Sequence, residues 1–151
     1  MTRDDFYTSI EEGARTSGVF ADVCVTDDQL ACAARGSAEP AFYRVSDEEG
    51  RVWVSLVTPN RWLSESIEAE LMHTGDKLEE LLEEELVDLG YEGPAPTFEH
   101  FRSEDMLFTF RSPVPREGDG FDGALAEKVK LMLFGYEACF RQLGDMSEED
   151  N

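Results

Sequence analysis

Apolar residues recur along this chain in two rhythms, every third or fourth position in some stretches and every second in others. Phe6, Ile10 and Ala14 share one face of a first helix, which Thr2 can cap, with Asp4 and Asp5 in its opening turn and Gly13 and Gly18 bracketing its end. After a linker come three runs with strand chemistry, Leu30–Arg35, Ala41–Ser46 and Arg51–Thr58. Gly36-Ser37 and Asp47-Glu48-Glu49-Gly50 separate them, so they read as an antiparallel meander. The third run, RVWVSLVT, is apolar on both alternations, which places it mid-sheet with both faces covered. Pro59-Asn60 then turns the chain.

The stretch Trp62–His73 fits a helix through Leu63, Ile67 and Leu71 and a strand through Ile67, Ala69 and Leu71, with the balance towards helix. Asp76 and Glu79 form a capping box for the next helix, whose stripe is Leu78, Leu81, Leu82, Leu86 and Leu89 and whose stop is Gly90. Its other face, Glu79, Glu80, Glu83, Glu84 and Asp88, reads as a solvated surface. The GPAP stretch at 93–96 is a stiff connector within one unit, since neither side is large enough to bury a core alone. Phe98–Arg102 and Met106–Arg111 flank a Ser103-Glu104-Asp105 turn, a hairpin in which Phe101 and Phe108 face each other. A last helix runs from about Ala124 to Leu143, with Leu125, Val129, Met132, Tyr136, Cys139 and Leu143 on one side and Leu131, Phe134 and Ala138 on another. That breadth predicts two-sided burial, as at a dimer interface. Residues 146–151 read as a frayed tail. The expectation is a single α+β domain over 1–151, an antiparallel sheet with helices packed on it in the order α-β-β-β-α-β-β-α.

Composition sharpens this. With 41% hydrophobic residues the chain has ample core material, and disorder of the whole is excluded. Thirty-four acidic against 13 basic side chains leave a net charge of -21 and no concentrated basic patch, which argues against nucleic-acid and membrane-surface binding. Residues 62–89 hold ten acids and one base, Lys77, and so form the acidic centre. Only three lysines accompany ten arginines, and adaptation to salt explains such a balance as well as function does. Cys24, Cys32 and Cys139 form no C-x-x-C pair, and no signal-like or membrane-spanning apolar run is present, so the expected setting is the reducing cytoplasm.

Chemistry is sparse. Gly118-x-Gly120-x-x-Gly123 formally matches a dinucleotide fingerprint, but Pro113 and Pro115 precede it and Asp119 and Asp122 would sit beside the pyrophosphate. His73 and His100 lack partners at metal-ligand spacing, and no nucleophile elbow or local triad signature occurs. The expectation is a protein that is not an enzyme, without metal or cofactor. Phe42 and Tyr43 point to opposite faces of one strand, Trp53 lies on the next, and Trp62 stands just past a turn where exposure is expected. A sheet with aromatics on both faces either keeps one for a partner or has both covered by its own helices or a twin subunit.

The element order and acidity resemble the type III secretion chaperone-like fold, which includes class I secretion chaperones and YbjN-like bacterial proteins. The resemblance runs from about Phe6 to Leu143 and rests on element order rather than on a motif. It implies paired subunits, and an unfolded partner segment held along apolar grooves of the sheet and first helix, with Phe6, Ile10, Phe42, Tyr43 and Trp53 as contacts. Together with Trp62 these are the candidate partner-binding residues. The expected function is therefore non-catalytic protein or peptide binding, chaperone-like or regulatory, by a homodimer. The alternative is a small-molecule site between the sheet and the 124–143 helix. A salt-adapted domain whose only partner is itself is a third reading, and its mark is strong stabilisation by added salt.

Overall fold

A computed structural model describes residues 1–26, 29–35, 40–48, 50–74, 78–91, 96–102, 107–115 and 120–141. The elements are α1 (Arg3–Ser17), β1 (Phe20–Val25), β2 (Gln29–Ala34), β3 (Phe42–Glu48), β4 (Arg51–Thr58), α2 (Arg61–Thr74), α3 (Leu78–Asp88), β5 (Glu99–Arg102), β6 (Phe108–Val114) and α4 (Gly123–Phe140). The six described strands form one antiparallel sheet in the order β1-β2-β3-β4-β6-β5. The fold class stands as expected, with a fourth strand ahead of the meander and two helices between β4 and β5. The connector residues 93–95, the capping residue Asp76, the turn at 103–105, Leu143 and the tail at 146–151 lie outside the described residues.

Local chemistry sets the helix ends. Thr2 Oγ1 accepts from the Asp5 amide and the Asp5 carboxylate accepts from the Thr2 amide, a reciprocal cap, while Gly18 closes α1 in the left-handed region. Asn60 Oδ1 accepts from Leu63 N at 2.8 Å and starts α2. At the end of α3, Gly90 takes φ +89°, its amide bonds to Val87 O and the Tyr91 amide reaches Leu86 O. That pair of bonds closes the helix on its orphan carbonyls.

One face of the sheet carries the core. Cross-strand rows Cys32–Tyr43–Leu56–Phe110–His100 and Leu30–Val45–Val54–Ser112 meet α1 through Phe6, Ile10 and Ala14, and α4 through Val129, Met132, Leu133, Tyr136 and Phe140. α4 lies between the sheet and α3, with α1 beside it. The two-sided burial predicted for this helix is thus satisfied inside the chain, which removes the reason it gave for a dimer interface. Tyr136, Phe140 and Met132 of α4 are fully buried where the alternative small-molecule site between the sheet and α4 was expected. A buried hydrogen bond of 2.6 Å between Tyr136 and Ser112 hydroxyls fastens α4 to β6.

Hairpin β5–β6 differs from expectation by one residue. Phe101 faces Thr109, and Phe108 faces Arg102, whose guanidinium lies 5.7 Å from its ring. A slip of one position exchanges the faces of a strand, so Phe101 and Phe108 stand on opposite sides of the sheet.

Candidate functional site

Six residues were candidates for partner contact, and the structure divides them. Phe6, Ile10 and Tyr43 are corrected: they are buried at the interface of α1, α4 and the sheet and offer no surface to a partner in this fold. Their burial follows from the apolar stripe of α1 lying directly on the core-facing positions of β1 and β2. Trp62 is 76% exposed on α2. Phe42 and Trp53 belong to the other face of the sheet, on which no described helix packs.

That second face is built by alternation. Its rows across the strands are Gln29–Ser46–Trp53–Pro113, then Ala31–Arg44–Ser55–Arg111–Glu99, then Ala33–Phe42–Val57–Thr109–Phe101. Trp53 is only 8% exposed, yet it and Val57 stand apart from the helix-covered core. Much of the cover on Trp53 comes from its own sheet: the Arg111 guanidinium carbon lies 3.8 Å from the Trp53 ring centroid and 4.9 Å from that of Phe101. Arg111 Nε donates to Glu99 at 2.7 Å and Nη1 donates to Glu48 at 3.3 Å. Beside this clamp a cavity of about 290 Å³ is lined by Gln29, Arg44, Ser46, Ser55, Thr109 and Trp53 among others. A second of about 350 Å³ lies against Glu48, Arg51, Trp53 and Arg111.

A second cluster ties α2 to β5. His100 stacks on Phe110 with centroids 3.9 Å apart, its Nδ1 donates to Glu68 at 2.8 Å, and its Nε2 lies 3.3 Å from Ser64 Oγ. This is the connectivity of a hydrolytic triad, which no spacing in the sequence marks. Ser64 is 2% exposed, however, so its hydroxyl is buried between α2 and β5. The cluster acts as a clasp built on a neutral imidazole, with the Ser64 hydroxyl donating to Nε2. Desolvation pulls the His100 pKa below 6.5 and the Glu68 charge only partly opposes it. In the folded chain His100 therefore binds its proton at lower pH than in the unfolded chain, so its contribution to stability is complete above 6.5 and declines as pH falls from there to the folded value. Denaturant melts at about pH 7.5 and 5.5 are expected to show that His100→Gln removes this acid-side loss relative to the parent. An equal pH response in both proteins would contradict it.

Asp47 forms a third group. Desolvation works against its charge, but donation from Arg3 at 2.8 Å and Tyr7 at 2.7 Å prevails and holds its carboxyl below the ordinary 3.8. Its role is to fasten α1 to β3. The thiols of Cys32 and Cys139 are pushed by burial up to about 12, so neither is a nucleophile at neutral pH, and Cys24 is exposed. Among the described residues no group of three His, Cys, Asp or Glu side chains is placed to hold a metal ion. Asp122 caps α4 by accepting from Leu125 N at 2.8 Å, so a carboxylate already occupies the helix start where the glycine fingerprint would seat a phosphate. Gly118 lies outside the described residues. No described helix is long and apolar enough to cross a membrane.

Sequence reasoning missed Arg44, Ser55, Thr109 and Arg111 on the second face, because they come from three strands and form no linear motif. The available signal was their shared parity with Phe42 and Trp53 once strand pairing is assigned. No protein-family model, curated protein or solved structure matches this chain.

Proposed function

We propose that this chain binds an extended segment of another protein on the second face of its sheet and catalyses no reaction. The observation that carries the reading is the cavity of about 290 Å³ on a face free of described helices, with Trp53, Val57 and Phe101 set among hydroxyl, amide and guanidinium groups. Apolar and aromatic surface supplies affinity, at about 25 cal/mol per Å² removed from water before ordering costs, and scattered polar groups satisfy a peptide backbone. The resemblance to chaperone-like folds points the same way, with the contact surface moved from α1 to the outer face of β3, β4 and β6. Self-association as a homodimer rests on that resemblance alone. Three free thiols and the acidity favour a reducing, cytoplasmic setting away from nucleic acid and membranes.

Selection of a displayed random nonapeptide library on the purified chain tests this. Retained clones are expected to lose binding to Ser46→Trp, which fills the cavity, and to Trp53→Ala, and to keep it with Trp62→Ala. Trp53→Ala is expected to cost about 1–2 kcal/mol of stability, less than removal of a ring from the helix-covered core. Clones that ignore Ser46→Trp, or no clones at all, would overturn the assignment.

A further inference from the structure

We infer that the segment bound on this face presents a carboxylate, an aspartate or glutamate side chain, to Arg111 and its neighbours. The inference rests on the proposed binding role and adds the chemistry of the occupant. Its basis is a reversal of charge. The chain has 34 acidic and 13 basic side chains, yet among the described residues the two cavities on the second face are lined by Arg44, Arg51 and Arg111 and by a single acid, Glu48. Counting Glu99, which pairs with Arg111 from the side, the described residues of the patch are three arginines and two acids. Among the described residues it gathers arginines on a strongly anionic molecule.

Arg111 is prepared for a further acceptor. Its guanidinium is held against two aromatic rings, and its bonds to Glu99 and Glu48 spend two of its five N–H donors. The Nη2 group has no acceptor among the described residues. A planar head fixed by stacking loses little freedom on binding, which is the situation in which arginine takes a carboxylate bidentately. Glu48 and Glu99 have exposed side chains, so their pairs with Arg111 are weak and can yield to a ligand. Arg51 lies across the hairpin from Glu48 but makes no ion pair among the described residues. Between Arg44 and Arg111 the row places Ser55, a hydroxyl that can donate to the same anion.

The mean field of the protein sharpens the test, because it draws basic peptides to the surface and repels acidic ones. Acidic enrichment among selected peptides would therefore oppose the global bias and report the site. In the nonapeptide selection above, clones displaced by Ser46→Trp are expected to be richer in Asp and Glu than the input library. The most enriched clone is then made as a synthetic peptide and titrated by Trp53 emission in a Trp62→Phe background. Replacing its glutamates by glutamine is expected to weaken binding at least tenfold. Arg111→Gln is expected to weaken it by a similar factor and the exposed Arg51→Gln by a smaller one. Arg51→Gln touches no core contact, so its melting temperature should be unchanged and its effect on binding cannot be ascribed to misfolding. Selected peptides that are neutral or basic, or a glutamine peptide that binds as well as its parent, would overturn the carboxylate inference and leave the binding role standing. Absence of any clone sensitive to Ser46→Trp would overturn both.

Discussion

Phe110→Ala is expected to destabilise the fold by about 3–5 kcal/mol, a large share of the 5–15 kcal/mol typical of a domain. Phe110 is 1% exposed, and it joins three elements at once. In β6 it pairs with Leu56 of β4; its ring lies 5.3 Å from Phe140 of α4, and its other side carries the His100 imidazole. Truncation removes the transfer energy of the ring and leaves a cavity whose walls belong to a sheet and a long helix, neither of which can collapse easily. In urea the midpoint should fall while the slope stays constant, since the surface exposed on unfolding hardly changes. At this chain length the melting temperature should drop by roughly 6–20 °C. The same change unroofs His100, so its pKa should move back towards 6.5, visible in a proton NMR titration. A loss below about 1 kcal/mol would mean that Phe110 is not where α4, β6 and the α2 clasp meet.

Where the sequence was legible and where it was not follows from the same local rules. The meander of β2, β3 and β4 could be read because its runs are short and rich in apolar residues and its breaks carry glycine and acidic turn residues. The strand before it could not: a bulge between Phe20 and Asp22 puts Phe20 and Val23, three positions apart, on the same buried face and erases the period of two. In β4 the double alternation of RVWVSLVT predicts a strand covered on both sides. It is central, between β3 and β6, but one of its sides is covered in part by Arg111 of the neighbouring strand rather than by a described helix. An arginine acting as lid over a tryptophan is invisible to a hydrophobicity pattern, because the long aliphatic stem counts as charge. For the same reason the outer face was sought among aromatics alone. Phe6, Ile10 and Tyr43 enter the candidate site through the resemblance to the chaperone-like fold and belong to the core by their position. The candidate site emerges only when registers are known, since Arg44, Ser55 and Arg111 share a row but are separated by 11 and 56 positions in the chain.

Gly135→Val is the other substitution from which a large effect is expected, a loss of about 2–3 kcal/mol. Elsewhere in a helix interior glycine is a cost of about 1 kcal/mol relative to alanine, so a side chain here would ordinarily help. At Gly135 an added Cβ would stand 2.6 Å from Leu86 Cδ2, 3.2 Å from Leu86 Cγ and 3.5 Å from Leu82 Cδ1. The glycine thus lets α3 approach α4 closely, and the leucines it admits are themselves buried, so they have nowhere to retreat. Valine adds two methyl groups beyond the Cβ and turns a tight contact into overpacking, which either forces Leu86 out of its rotamer or pushes α3 off the bundle. A double-mutant cycle separates this steric account from a mere loss of helix propensity. Leu86→Ala alone should cost about 2–5 kcal/mol by opening a cavity, and Gly135→Val placed in that background should cost much less than in the parent, because its methyl groups fill the space vacated. The coupling is expected to be stabilising by 1 kcal/mol or more. Strict additivity in denaturant melts would show that α3 and α4 do not depend on the Gly135–Leu86 contact, and α3 would then have to be held in place by other means.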